Sequence, residues 1–114
     1  MSEVFFRGRD EALTPMFPGA SRKILARGGS LMVMKVSFAP GAAAPLHSHP
    51  HEQVSYIVSG RFEVTVGAET RELGEGDSIY VAPQVSHGVK ALEDAVIMDV
   101  FTPQREDLLP GKNG

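Results

Sequence analysis

The chain has 114 residues, of which 42% are hydrophobic and 22% are charged, and its formal net charge is −3. This length and balance are typical of one globular domain and exclude a disordered, fibrous or coiled-coil chain. The scattered Lys and Arg residues argue against a nucleic-acid partner, and the absence of cysteine excludes disulfides, thiolate metal sites and cysteine nucleophiles.

Residues 1–10 mix Phe5 and Phe6 with arginines and acids, so they lack the long apolar run of a signal peptide. No later stretch approaches the roughly 18 consecutive apolar residues that a membrane-spanning helix needs. We therefore expect no membrane partner, and a cytoplasmic location is the default expectation.

Short runs rich in β-forming residues follow, separated by Gly and Pro, and none carries a 3.6-residue apolar period over three turns. The segment 14–21 looks like a loop, and 105–109 is a candidate helical turn. The link Ser59-Gly60 between two of the runs predicts a β-hairpin. Together the runs predict an all-β fold in a single domain spanning 1–114, with strands at 23–26, 31–39, 52–58, 61–66, 78–82, 87–92 and 95–102.

The four histidines are the first candidates for a functional site. His47 and His49 are two residues apart, so on a regular strand both side chains leave the same face, and Gln53 shares their parity. Imidazole is a good ligand for several transition metals, and His87, far along the chain, could complete a site inside a barrel. The spacing therefore predicts a metal centre.

Several alternatives remain open at this cluster. Pro50 should disturb the strand, so we expect His51 to lie outside the metal site. Glu52 points to the opposite face by parity and would replace Gln53 as a ligand only if a bulge shifted the register. The Gln53 amide could also simply form hydrogen bonds within the strand.

The run 95–102 is apolar on both faces, which predicts that both faces are covered. Asp99 is a carboxylate within this apolar strand. Burial would raise its pKa and suit it to acid/base chemistry, although an ion pair that closes the barrel is the alternative. Arg105 follows Pro103 and could fold back over the barrel mouth to bind a carboxylate with two hydrogen bonds, or it could be a surface residue.

Two segments resemble the motifs of a known family. The run GAAAPLHSHPHEQVSYIVSG, residues 41–60, resembles the first cupin motif through Gly41, His47, His49 and Gly60, with Gln53 where the motif has an acid.

The run GDSIYVAPQVSHGV, residues 76–89, resembles the second cupin motif through Gly76 and His87. Ala82 and Gln84 stand at its Pro and second Gly positions. The resemblance implies a single RmlC-like cupin domain with a double-stranded β-helix, or jelly-roll, barrel. It also implies one divalent transition metal ion, such as Ni, Zn, Mn or Fe, bound by His47, His49, Gln53 and His87.

The C-terminal pattern formed by Asp99, Phe101 and Arg105 is similar to that of the KdgF-type pectin-degradation cupins. That resemblance implies uronate metabolism, in which a 4,5-unsaturated monouronate is converted to its linear keto form. Asp99 and Arg105 would then be catalytic, and Phe101 and Arg105 would bind the substrate. Gln53 would leave the ion its full double charge and so favour Lewis-acid over redox chemistry.

Two other classes of function remain open: a metal-dependent dioxygenase or isomerase of another small molecule, and a cupin that binds a small ligand without catalysis. The doubly apolar runs 31–39 and 95–102 predict a homodimer. The apolar N-terminal residues 4–6 could add to the edge of a neighbour's sheet.

Overall fold

A computed structural model of the chain describes residues 3–109. Ten strands follow one another, with short 3-10 helices at Gly8–Asp10 and Glu106–Leu108. The strands are β1 (Leu13–Pro15), β2 (Ala20–Gly28), β3 (Leu31–Phe38), β4 (Ala43–His47), β5 (Glu52–Ser59), β6 (Arg61–Val66), β7 (Glu69–Gly74), β8 (Ser78–Val81), β9 (His87–Ala91) and β10 (Ala95–Thr102).

The strands form two antiparallel sheets. One has six strands in the order β1-β2-β3-β10-β5-β8, and the other has four in the order β4-β9-β6-β7. The all-β jelly-roll architecture expected from the sequence is confirmed. Among residues 3–109 no helix is long and apolar enough to cross a membrane.

The predicted hairpin across Ser59-Gly60 is wrong. β5 pairs with β10 and β8 in the large sheet, whereas β6 pairs with β7 and β9 in the small one. Gly60 is where the chain passes between the sheets, with a φ of +80°. A Cβ there would lie 2.6 Å from the Cβ of Ala95, so this crossing has no room for a side chain.

Other predicted bounds need correction. The supposed loop 14–21 contains most of β1 and the start of β2, which pair through Leu13 and Lys23. β4 and β7 were not predicted, because β4 contains small residues and a proline, and β7 is a largely exposed polar edge strand. The helical turn expected at 105–109 is a 3-10 turn at Glu106–Leu108.

The core lies between the two sheets. The largest fully buried side chains are those of Met32, Ile57, Phe62 and Phe101. Phe38 meets Phe62 edge to face with ring centroids 5.0 Å apart, an arrangement that stabilises beyond the area it buries. The inward faces of β5 and β10 continue this core up to the polar groups described below.

The outer face of the large sheet remains partly uncovered in the single chain. The inward residues of β10 are buried, but Val100 on its outward face is 37% exposed. Its neighbour in register on β5, Val54, is exposed too, and so is Tyr80 on β8. The expectation that β10 is covered on both faces therefore does not hold within one chain.

Candidate functional site

Three histidines meet inside one end of the barrel, although not by the regular strand that the sequence predicted. β4 ends at His47, and His49 lies in the loop that leads to β5. His87 begins β9 and lies opposite His47 in the register of the small sheet. A strand end, a loop and a second strand thus supply the three rings.

The three rings could bind one ion. One nitrogen from each of His47, His49 and His87 falls within 4.8 Å of the others. The ring centroids of His47 and His87 are 4.3 Å apart, and those of His49 and His87 are 4.8 Å apart. His49 and His87 are buried, whereas His47 is exposed at the rim.

Backbone carbonyls fix the ring orientations. Nδ1 of His47 donates to the carbonyl of Pro45, and Nδ1 of His87 donates to the carbonyl of Val85, each at 2.9 Å. In its neutral form each of these rings therefore has its lone pair on Nε2, the tautomer that can bind a metal through that atom. Nε2 of His87 is buried and has no hydrogen-bond partner among residues 3–109.

The surroundings of His49 also fit a cation. Its Nδ1 lies 3.2 Å from the carbonyl oxygen of His51, and its Nε2 lies 3.0 Å from Oε1 of Gln53. Both oxygens are acceptors, yet a neutral imidazole has one N–H, so one contact brings two lone pairs together. A cation held by Nε2 and Oε1 would remove this conflict and leave Nδ1–H to donate to His51. The donor set therefore fits a divalent transition metal ion.

The electrostatics keep the buried rings neutral. Burial lowers the pKa of His49 to about 4, assisted by the positive charge of Arg105. Burial also lowers the pKa of His87, although its hydrogen bond to Val85 opposes this change. Both residues are unprotonated at neutral pH, which a metal ligand requires.

Gln53 lies at the start of a buried polar row. It faces inward on β5 with Ser55, and Asp99 lies directly opposite Ser55 on β10. The Gln53 amide donates to Oγ of Ser55 at 2.8 Å, and Oγ of Ser55 donates to Oδ1 of Asp99 at 2.6 Å. Nε2 of Gln53 is also 3.4 Å from that oxygen.

Asp99 is the buried carboxylate of the site. Burial raises its pKa from 3.8 to about 6, although the hydrogen bond from Ser55 and the charge of Arg105 act in the opposite direction. Among residues 3–109 it makes hydrogen bonds and no ion pair of the kind considered as an alternative. A carboxyl group with this pKa can gain and lose a proton near neutral pH.

Phe101 and Arg105 lie next to the histidines. The Phe101 ring packs edge to face on His49 with centroids 5.8 Å apart, and the Arg105 guanidinium carbon is 5.1 Å from the Phe101 ring centre. Arg105 donates from Nε and Nη2 to the two carboxylate oxygens of Asp107, at 3.0 and 2.9 Å. This contact lowers the pKa of Asp107.

A cavity of about 120 Å³ lies between most of these groups, although His49 and Asp107 are not among the residues that line it. Its polar end is lined by His47, His87, Gln53, Ser55, Asp99 and Arg105. Most of the remaining wall is apolar and includes Met34, Val36, Val64 and Ile97. A small, mostly apolar pocket with a few convergent polar groups is typical of a site for a small molecule.

His51 and Glu52 lie where the sequence places them. His51 is half-buried beside His49, with ring centroids 5.3 Å apart, and it is not one of the three clustered histidines. Glu52 is exposed on the opposite face from Gln53 and accepts a hydrogen bond from the hydroxyl of Tyr80.

The sequence interpretation missed Ser55 and Asp107. Ser55 has the same parity as Gln53 and Ile57, so a polar residue on the inward face of β5 was the signal that could have identified it. Asp107 lies in the 3-10 turn that follows β10, and the shape of this turn brings its carboxylate to Arg105. No pattern in the neighbouring sequence indicated this pairing.

Known proteins share the fold and part of the sequence of this chain. The profile of the cupin domain family matches residues 34–101. The pectin degradation protein KdgF of Dickeya dadantii is 40% identical over 93 residues, which cover 80% of this chain and 84% of that protein.

Two solved structures are similar over nearly the whole chain. The structure of KdgF from a Halomonas species has a TM-score of 0.89 and 37% identity, and the match covers 95% of this chain and 100% of that one. An RmlC-like cupin from Shewanella frigidimarina has a TM-score of 0.90 and 37% identity, with 95% of this chain and 97% of that chain covered.

Proposed function

This chain belongs to the cupin family, and we propose that it is a metal-dependent enzyme that converts a 4,5-unsaturated monouronate to its linear keto form. The observation that carries this proposal is the buried carboxylate of Asp99, which lines one cavity with the Arg105 guanidinium and two of the three convergent imidazoles. The relatives named for pectin degradation support a sugar acid as the substrate.

The metal would be held by three imidazoles and one amide oxygen, from His47, His49, His87 and Gln53. When bound, such an ion supplies Lewis-acid polarisation of a substrate oxygen. Because all four ligands are neutral, its double charge is not reduced by the protein.

The reaction is an isomerisation, so it needs no oxidant or reductant. The anomeric hydroxyl loses its proton, the bond between C1 and the ring oxygen breaks, and C1 becomes an aldehyde. The former ring oxygen becomes a ketone on C5, and C4 gains a proton. Asp99 can take up the first proton on its carboxylate and return a proton to C4, which a group with a pKa of about 6 can do at neutral pH.

Arg105 would hold the substrate carboxylate. Its two hydrogen bonds to Asp107 support this role, because a substrate carboxylate that displaced Asp107 could accept the same pair of hydrogen bonds. Phe101 keeps this guanidinium next to the histidines and provides an apolar surface for the sugar ring.

The test is turnover of a 4,5-unsaturated monouronate by the metal-loaded protein. Asp99→Asn should bind metal as the parent does and lose at least about 100-fold in kcat, the scale of general acid–base catalysis. Arg105→Lys should raise KM, because an ammonium cannot replace the bidentate fork. Asp94→Asn, an exposed residue, is the control. Full activity of Asp99→Asn would refute the acid/base role.

We also propose that residues 1–114 form one domain and that the protein is a homodimer. Val54, Tyr56, Tyr80 and Val100 expose an apolar surface on the outer face of the large sheet, which a second copy would cover. The exposed Val4 and Phe5 could take part in this contact. A monomer in sedimentation analysis would contradict this proposal, and the cytoplasmic location stays a prediction.

A further inference from the structure

One buried hydroxyl connects the metal-binding and the acid/base parts of the cavity. Ser55 is 3% exposed and lies between Gln53 and Asp99, within hydrogen-bond distance of both. We propose that Ser55 is a positioning residue that turns the Gln53 amide oxygen toward the metal and leaves one oxygen of Asp99 free for proton transfer. The first half rests on the metal site within the proposed function, and the second half rests on its uronate chemistry.

The directions of these hydrogen bonds are fixed by counting protons. A serine hydroxyl has one hydrogen and can accept on its lone pairs. Oγ of Ser55 lies 2.6 Å from a carboxylate oxygen of Asp99, so its hydrogen is committed there. The contact of 2.8 Å with Gln53 must therefore be one in which Ser55 accepts from the amide nitrogen.

This arrangement determines which end of the Gln53 amide faces the histidines. With Nε2 held by Ser55 and by Oδ1 of Asp99, Oε1 must point the other way, where it lies 3.0 Å from Nε2 of His49. In the reversed orientation the amide oxygen would face the carboxylate of Asp99 and a hydroxyl with no hydrogen left to donate. The NH₂ group would then face the metal, which it cannot bind.

The same hydroxyl distinguishes the two oxygens of Asp99. Oδ1 accepts from both Ser55 and Gln53, whereas Oδ2 makes none of the side-chain hydrogen bonds found among residues 3–109. Ser55 and Asp99 are direct partners in the register of β5 and β10, so two packed strands hold this geometry. Oδ2 is therefore the atom that would carry the transferred proton.

The first experiment measures the affinity for Zn²⁺ or Ni²⁺ alone by titration calorimetry with a competing chelator. Ser55→Ala should weaken binding by about 10-fold to 100-fold, the loss typical when a partner of a metal ligand is removed. In a Gln53→Ala background the same substitution should change affinity by less than about 2-fold, because the group that Ser55 orients is gone. Ser59→Ala, on the same strand, is the control and should bind as the parent does.

Parental affinity of Ser55→Ala would overturn the proposal, and so would an equal loss in both backgrounds, because that is the result of a merely structural role. With an unsaturated monouronate, Ser55→Ala should lower kcat and leave KM near the parental value, since Arg105 is untouched. If the parent does not turn over any uronate, the proposed function fails, while the metal titrations still decide whether Ser55 positions Gln53.

Discussion

Replacing Asp99 by asparagine should stabilise the metal-free protein at neutral pH, because the parent buries a carboxylate there. The pKa of Asp99 rises from 3.8 to about 6 on folding, chiefly through burial. The folded state therefore binds the proton more tightly than the unfolded state, and stability declines as the pH rises between these two values. Each pH unit between them corresponds to about 1.4 kcal/mol, so the loss approaches about 3 kcal/mol above pH 7.

The assay is urea unfolding of the parent and Asp99→Asn at pH 4 and pH 7, both with a chelator present. The difference in free energy of unfolding, variant minus parent, should grow by about 2.4 kcal/mol between the two pH values, because the unfolded carboxyl is already partly ionised at pH 4. This corresponds to about 10 °C in thermal midpoint. Comparing two pH values removes any constant effect of the amide itself. Asp107→Asn is a control of opposite sign, because contact with Arg105 lowers the pKa of Asp107. A difference for Asp99→Asn that does not change with pH would refute the reasoning.

Three further predictions concern the metal, the crossing between the sheets and the unusual ligand. His87→Ala should abolish the rise in thermal midpoint that added Zn²⁺ or Ni²⁺ produces in the parent, because a ligand stabilises only the state that binds it; an undiminished rise would exclude His87 as a ligand. Gly60→Ala should destabilise by at least about 2 kcal/mol in urea unfolding, since the new Cβ meets Ala95 at a φ of +80°. The control Gly76→Ala, at a φ of +89° with open space around it, should lose only the backbone term of about 1 kcal/mol, and equal losses would contradict the steric explanation. Gln53→Glu should bind metal at least as tightly as the parent but turn over an unsaturated monouronate at least about 10-fold more slowly, because a second carboxylate beside Asp99 disturbs its proton transfer; parental turnover would contradict this.

The sequence predicted the site best where a single physical cause explains the type of residue at a position. The alternation of β10 predicted that Ile97, Asp99 and Phe101 share one face, and all three are buried. The histidine spacing predicted convergence with His87, which the structure shows. Here the reason was partly wrong, because His47 ends a strand and His49 lies in a loop rather than beside it on the same strand.

The missed elements depend on contacts between distant parts of the chain. Ser59-Gly60 is compatible with a hairpin or with a crossing between sheets, and only the pairing of β5 with β10 and β8 decides between them. β7 is an edge strand whose side chains are mostly exposed, so its sequence does not need to alternate between apolar and polar residues. The role of Ser55 follows from a partner 44 residues away. Patterns within short sequence segments do not predict these pairings between distant segments.

β10, the last strand among residues 3–109, is an interior strand of the large sheet, with β3 on one side and β5 on the other. While a ribosome is still synthesising the residues of β10, both neighbours have an unpaired edge facing the gap, and Asp99 and Phe101 are not yet in place. Such edges promote association with other chains. A premature stop before residue 95 should therefore produce aggregates rather than a weakened enzyme, and folding should be slow for this length because its decisive pairings join distant segments.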